Sequence, residues 1–103
     1  MSISEFEVNC ITKPHPENRH EHITHIGNTN NGWQLSRDVA IFRLEAKTEA
    51  YYTVERATAR KIYIYVVREG GLKLPYLRTY ADGVWSDNLL AQRQCDASCK
   101  LVA

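Results

Sequence analysis

"AYYTVERATARKIYIYVVRE" (residues 50–69) decides the fold class. Tyr, Ile, Val and Thr crowd its two halves, and these residue types suit a pleated surface. "RATAR" (56–60) between the halves is a connector of hairpin length. The stretch therefore reads as two strands, 50–55 and 61–69. In the second, Ile62, Ile64 and Val66 share one face, and Tyr63 and Tyr65 share the other. The apolar face needs a cover, and the chain offers one convincing helix.

That helix lies in "LSRDVAIFRLEA" (35–46) and is expected over 36–46. Ser36 is suited to accept from a first-turn amide as N-cap, and Asp38 places negative charge near the positive end of the helix dipole. Leu35, Val39, Phe42 and Ala46 fall at helical spacing, with Ile41 and Leu44 widening the stripe. Arg37, Arg43 and Glu45 are left for solvent.

Upstream, "FEVNCIT" (6–12) alternates, with Phe6, Val8 and Cys10 on one face and Glu7, Asn9 and Ile11 on the other. "KPHPENR" (13–19) is a loop in which Pro14 and Pro16 bias His15 toward extended geometry. "HEHITHI" (20–26) resumes extended structure, and "GNTNNGW" (27–33) reads as a loop. Downstream, "GG" (70–71) opens a turn and "LPYLRTY" (74–80) is a strand. Asp82-Gly83 signals a tight hairpin. "SDNLLAQ" (86–92) reads as a short helical turn. The tail "RQCDASCKLVA" (93–103) has little pattern and is expected to be partly disordered. The order is strand, strand, helix, then three or more strands. It points to an α+β domain with one mainly antiparallel, strongly twisted or barrel-like sheet of about five strands, its helix inserted after the second. One domain over 1–103, with a core at 6–92, is expected.

The 103 residues include 44% hydrophobic and 24% charged side chains, which argues against disorder. A net charge of +1 argues against a strong electrostatic commitment to nucleic acid or to an anionic membrane. No apolar run approaches the roughly 20 residues of a membrane span. "MSISEFEVNC" lacks the basic and apolar regions of a signal peptide, so a cytoplasmic location is expected. In a reducing compartment Cys10, Cys95 and Cys99 are expected as thiols or metal ligands rather than a disulfide framework.

Four constellations are candidates for chemistry. The first is "HEHITH" (20–25). On a strand, His20 and His22 share one face, while Glu21 and His25 take the other, so the three imidazoles do not converge. A zinc-stabilised domain using Cys10, His20, His22, Cys95 and Cys99 requires both chain ends to meet near the second strand, and a polar strand whose histidines bond to backbone and water is the favoured reading. The second is a Cys-His-Asp set of Cys10, His22 and Asp87; the apolar period around Cys10 favours burial as a small hydrophobe. The third is the tyrosine face of 61–69. Tyr63 and Tyr65, with Arg60, Lys61, Arg68 and Arg78 nearby, resemble a surface that stacks single-stranded bases. Against this, tyrosine is simply a good strand residue. The fourth is "YLRTYADGVWSDNLL" (76–90), where Arg78, Asp82, Trp85, Asp87 and Asn88 gather around a turn. Its structural reading makes Asp82-Gly83 the turn and Asp87 a cap, with Trp85, Leu89 and Leu90 locking the tail to the core.

The strings "CITKPHPENRHEHITHIGN", the Trp before "LSRDVAI", "YYTV" and "PYLRTYADGVWSDNLL" followed by a Cys resemble a group of small, mostly bacterial proteins, domain-of-unknown-function family 3892. The resemblance runs from about Cys10 to Cys95. It implies a small stand-alone bacterial domain and supplies no catalytic residues. It also implies that the histidine segment and "YLRT…DNLL" belong to one unit. Members commonly carry Leu-Pro between "NLL" and the final Cys. Ala91, Gln92, Arg93 and Gln94 stand here instead, so the tail is expected to pack differently.

The function these observations favour is a non-enzymatic module that binds a protein partner or itself and requires no cofactor. Tyr63, Tyr65, Arg60, Arg78, Asp82, Trp85, Asp87 and Asn88 are the candidate surface. The alternatives are nucleic-acid binding on the same face and the zinc-stabilised domain.

Overall fold

The computed structural model describes residues 3–14 and 19–102; the extended geometry expected at His15 lies outside the described residues. In chain order the strands are β1 (Ser4–Glu7), β2 (Cys10–Thr12), β3 (His25–Asn28), β4 (Trp33–Ser36), β5 (Glu49–Val54), β6 (Lys61–Val67), β7 (Tyr76–Ala81), β8 (Val84–Ser86), β9 (Arg93–Gln94) and β10 (Lys100–Leu101). The helix α1 (Arg37–Glu45) follows β4, and a 3₁₀ turn covers His20–His22. The α+β class holds. Instead of one barrel-like sheet of about five strands there are two open sheets of five, ordered β1-β5-β6-β7-β8 and β10-β4-β3-β2-β9. Both are mixed: β1 runs parallel to β5, β10 to β4 and β2 to β9, and the remaining pairs are antiparallel.

The difference from the expected single sheet starts inside "FEVNCIT". The chain leaves the first sheet at Val8, whose amide donates to Tyr52 O at 2.7 Å, and enters the second at Asn9, whose amide donates to Gly27 O at 3.0 Å. A corner of this kind breaks the alternation, so Cys10 and Ile11 are both fully buried. Asn28 clamps the corner. Its buried side chain donates to Glu7 O at 3.0 Å and accepts from the Asn31 amide at 2.9 Å.

The hairpins form as read. Val54 faces Lys61 across the 50–69 connector. Asp82 and Gly83 take φ of 56° and 81° between β7 and β8, the pair of positive φ values that a two-residue turn matched to strand twist requires. Ser36 caps α1 by accepting from the Val39 amide at 3.3 Å. The buried face of α1 differs from the expected stripe: Ala40 and Ile41 are buried, and Phe42 is 72% exposed. The helix packs against β3 and β4 of one sheet and against β5, β6 and β7 of the other. Its inner residues join Ile26 and Leu35 to Ile64 and Leu77 in one core.

Two further expectations are corrected. "HEHITHI" is not one strand, because His20–His22 form the 3₁₀ turn and β3 begins only at His25. Ile23 drops between them into the core at 0% exposure, so burial of one isoleucine decides the local geometry. The tail is not patternless either, since β9 and β10 add parallel edges to the second sheet. "SDNLLAQ" closes as a turn, with the Ala91 amide donating to Asp87 O at 3.0 Å and Leu89 fully buried.

Candidate functional site

Strand register builds the most distinctive surface. Tyr52 faces Tyr63, Tyr63 faces Tyr80, and Tyr80 faces Trp85. Directly opposed residues lie on the same side of a sheet. One aromatic ring per strand therefore crosses β5, β6, β7 and β8 in a row on the side away from Ile62 and Ile64. Ring centroids are 6.0 Å apart for Tyr52–Tyr63 and 5.0 Å for Tyr80–Trp85. Tyr65 adds a flank, edge-on to Tyr80 at 6.1 Å. Tyr65, Tyr80 and Trp85 are 49%, 39% and 42% exposed, so this end of the row faces solvent, while Tyr52 and Tyr63 are partly buried. Trp85 is thus not a core anchor. Leu89 takes that role, with its amide donating to the buried Thr79 hydroxyl at 3.3 Å. Tyr65, Val66, Tyr80 and Trp85 line a shallow recess of about 380 Å³.

The charged residues around the row carry acid partners. Arg60 donates twice to Asp82, at 3.1 and 2.9 Å. Lys61 stands 3.2 Å from Glu5 and lies over the Tyr52 ring. Arg78 donates to Asp87 at 3.0 Å and to Ser86 O at 3.2 Å. Hydrogen bonds from Lys61 and Tyr63 hold the Glu5 carboxyl below its ordinary range. Asn88 does not join this surface; it lines a different hollow with Asn9, Gln92 and Arg93.

The histidine segment and "YLRT…DNLL" do meet. His20 Nε2 is 3.5 Å from Asp87, and its ring lies 6.5 Å from that of Tyr76. Burial, then the positive charge of Arg78, lowers the His20 pKa below 6.5. His25 instead meets the Thr24 hydroxyl at 2.9 Å.

The expected five-residue Cys/His ligand set divides. Cys10 and Cys95 form a disulfide, contrary to the expectation of free thiols. Cys99 is free and buried, with its Sγ 3.9 Å from Cys10 Sγ. Among the described residues no histidine joins the three sulfurs. The Cys-His-Asp set also fails to assemble as a nucleophile: Cys10 is disulfide-bonded and fully buried, and Asp87 is engaged by Arg78 and His20.

Sequence reasoning missed a hollow of about 220 Å³ where the two sheets meet, walled by Phe6, Trp33 and Tyr51. Arg43 donates to Glu49 at 3.1 Å at its polar end, and the Tyr51 hydroxyl donates to the same Glu49 oxygen. Burial and that carboxylate push the Tyr51 hydroxyl pKa up. Its walls come from three distant segments, so no local motif announces it. Sequence also left Tyr52 and Tyr80 out of the candidate surface, although the Asp82-Gly83 turn fixes the register that places Tyr80 opposite Trp85.

Residues 7–91 match the family described as "Protein of unknown function (DUF3892)". No curated protein and no solved structure matched the chain. Among the described residues no helix is long and apolar enough to cross a membrane.

Proposed function

Since the chain belongs to the DUF3892 family, whose description names no activity, we propose from its geometry alone that it is a non-enzymatic module that binds polypeptide on the aromatic row. The observation that carries this reading is the in-register series Tyr52, Tyr63, Tyr80 and Trp85, exposed at its Tyr80–Trp85 end. Exposed aromatic clusters of this kind are contact surfaces more often than stability devices.

Size selects the occupant. Four strands and the seven residues of β6 outline roughly 400 Å² of face at ordinary strand dimensions. That is about half of what each partner buries in a standard protein–protein interface. A short extended segment fits it better than a second folded copy. Alternate side chains of an extended chain repeat at about 6.6 Å, close to the 6.0 Å between the Tyr52 and Tyr63 rings and the 5.0 Å between those of Tyr80 and Trp85. The segment is uncharged and proline-containing. Arg60, Lys61 and Arg78 each already have a carboxylate, and pre-extended proline segments lose little entropy on aromatic-lined grooves.

Nucleic-acid stacking is the second reading, favoured by the same rings. The pairing of Arg60, Lys61 and Arg78 with acids weighs against it, because strand binding draws on free cations for phosphate. Calorimetric titration with a proline-rich decapeptide and with oligothymidylate at low salt separates the two. Peptide binding that weakens about 10- to 30-fold in Tyr80→Ala, as for a contact hot spot, supports the proposal. Tight, salt-sensitive oligonucleotide binding without peptide binding overturns it.

A further inference from the structure

The three cysteines sit where the tail returns to the second sheet. Cys10, Cys95 and Cys99 contribute sulfurs that all lie within 4.8 Å of one another. Hydrogen bonds hold them there alongside the disulfide. The Cys95 amide donates to Ile11 O at 2.8 Å, and Gln34 Nε2 donates to Cys99 O at 3.1 Å. Asp96 accepts from the Ser98 amide at 2.9 Å and braces the loop between the two tail cysteines.

Two chemistries are open to a disulfide with a third sulfur beside it. The first is internal exchange, with Cys99 attacking Cys10 and expelling Cys95. Cys99 is buried, whereas the attacking thiolate of an exchange needs an accessible, electropositive setting. Exchange is therefore disfavoured. The second is metal binding after reduction. Tetrahedral zinc with Zn–S of about 2.3 Å separates its sulfurs by about 3.8 Å. Cys10 and Cys99 already stand 3.9 Å apart. Only the half-exposed Cys95 has to swing away from Cys10.

We propose that the reduced chain binds one zinc ion through the thiolates of Cys10, Cys95 and Cys99, and that oxidation to the Cys10–Cys95 disulfide dismantles the site. A dithiol reductant supplies two electrons and two protons, breaks the S–S bond and departs as its own disulfide. Zinc binding then releases the three thiol protons to solvent. Water takes the fourth position. The Asp96 carboxylate, 4.0 Å from Cys99 Sγ, adds negative charge beside the cation. This site is separate from the aromatic row, and neither proposal depends on the other.

The test uses the full-length untagged protein, reduced by a phosphine without oxygen and titrated with zinc against a chromophoric chelator. Cobalt(II) replaces zinc in a parallel spectrum. One zinc per reduced chain is expected, with a thiolate-to-cobalt charge-transfer band and no uptake by the oxidised protein. Cys99→Ser keeps the disulfide pair and is expected to weaken zinc binding by at least about 100-fold, the upper end of what loss of an outer-shell partner alone costs. Circular dichroism with and without zinc covers the case in which reduction unfolds the chain; refolding on zinc addition supports the proposal. The absence of zinc uptake by the reduced chain, folded or unfolded, overturns it. So does unchanged affinity in Cys99→Ser.

Discussion

The Cys10–Cys95 bond closes a loop with a sequence separation of 85 residues and ties the tail to the corner strand. Its contribution is best measured in a Cys99→Ser background, because a free Cys99 at 3.9 Å from Cys10 offers a replacement bridge once Cys95 is lost. Comparing Cys99→Ser with Cys95→Ser/Cys99→Ser isolates the bond. In the chain-entropy treatment a closed loop of this length stabilises the fold by about 4.6 kcal/mol. Domains of this size have only about 5–15 kcal/mol in total, so the doubly substituted protein is expected to be marginal. With a urea slope of about 1.5 kcal/mol/M, the midpoint falls by about 3 M. Equilibrium urea unfolding followed by far-ultraviolet circular dichroism measures it. A difference below about 1 kcal/mol would refute the reasoning, since it would mean that closing the loop does not restrict the unfolded chain as the entropy treatment requires.

Acid sensitivity follows from His20. Its folded pKa is depressed below 6.5, by burial first and then by Arg78. The unfolded chain therefore takes up this proton first as pH falls. Stability contributed by neutral His20 is complete above about 6.5 and is lost as pH falls from there toward the folded pKa. His20→Gln should flatten that part of a stability–pH profile, and an unchanged slope would count against the assignment. Gly27 has no room for a side chain, because an added Cβ would meet Trp33 O at 2.5 Å. Gly27→Ala should cost at least about 2 kcal/mol in urea unfolding, as overpacking with a backbone shift does. Asn28→Ala should cost about 1–3 kcal/mol, since it removes the partner of Glu7 O and of the Asn31 amide at a partly buried corner. A loss under 1 kcal/mol would remove Asn28 from that role.

Local chemistry was legible in the sequence. The 50–69 hairpin, the Asp82-Gly83 turn and the Ser36 cap each depend on residues within a few positions of one another. Three features were not legible. The switch between sheets at Val8–Asn9 leaves an apparently continuous alternation in the text, because two strands meeting at a corner keep the same residue types. The face of α1 was ambiguous because Val39, Ile41, Phe42 and Leu44 wrap most of the helix; contact with two sheets, rather than periodicity, selects Ala40 and Ile41 for burial. The cysteine cluster needs the tail to return 85 positions to β2, and spacing carries no trace of that. Of the candidate surface, Tyr63, Tyr65 and Trp85 lie together, whereas Asn88 lies elsewhere. Sequence alternation assigned each strand its faces, but only the register aligned the rings.

Chemical-shift mapping of the ¹⁵N-labelled protein during titration with a proline-rich decapeptide tests the contact surface directly. Saturable shifts confined to β5 through β8 are expected, led by the Trp85 indole N–H and the amides flanking Tyr63 and Tyr80. Shifts clustered on the second sheet, or none at millimolar peptide, would contradict it.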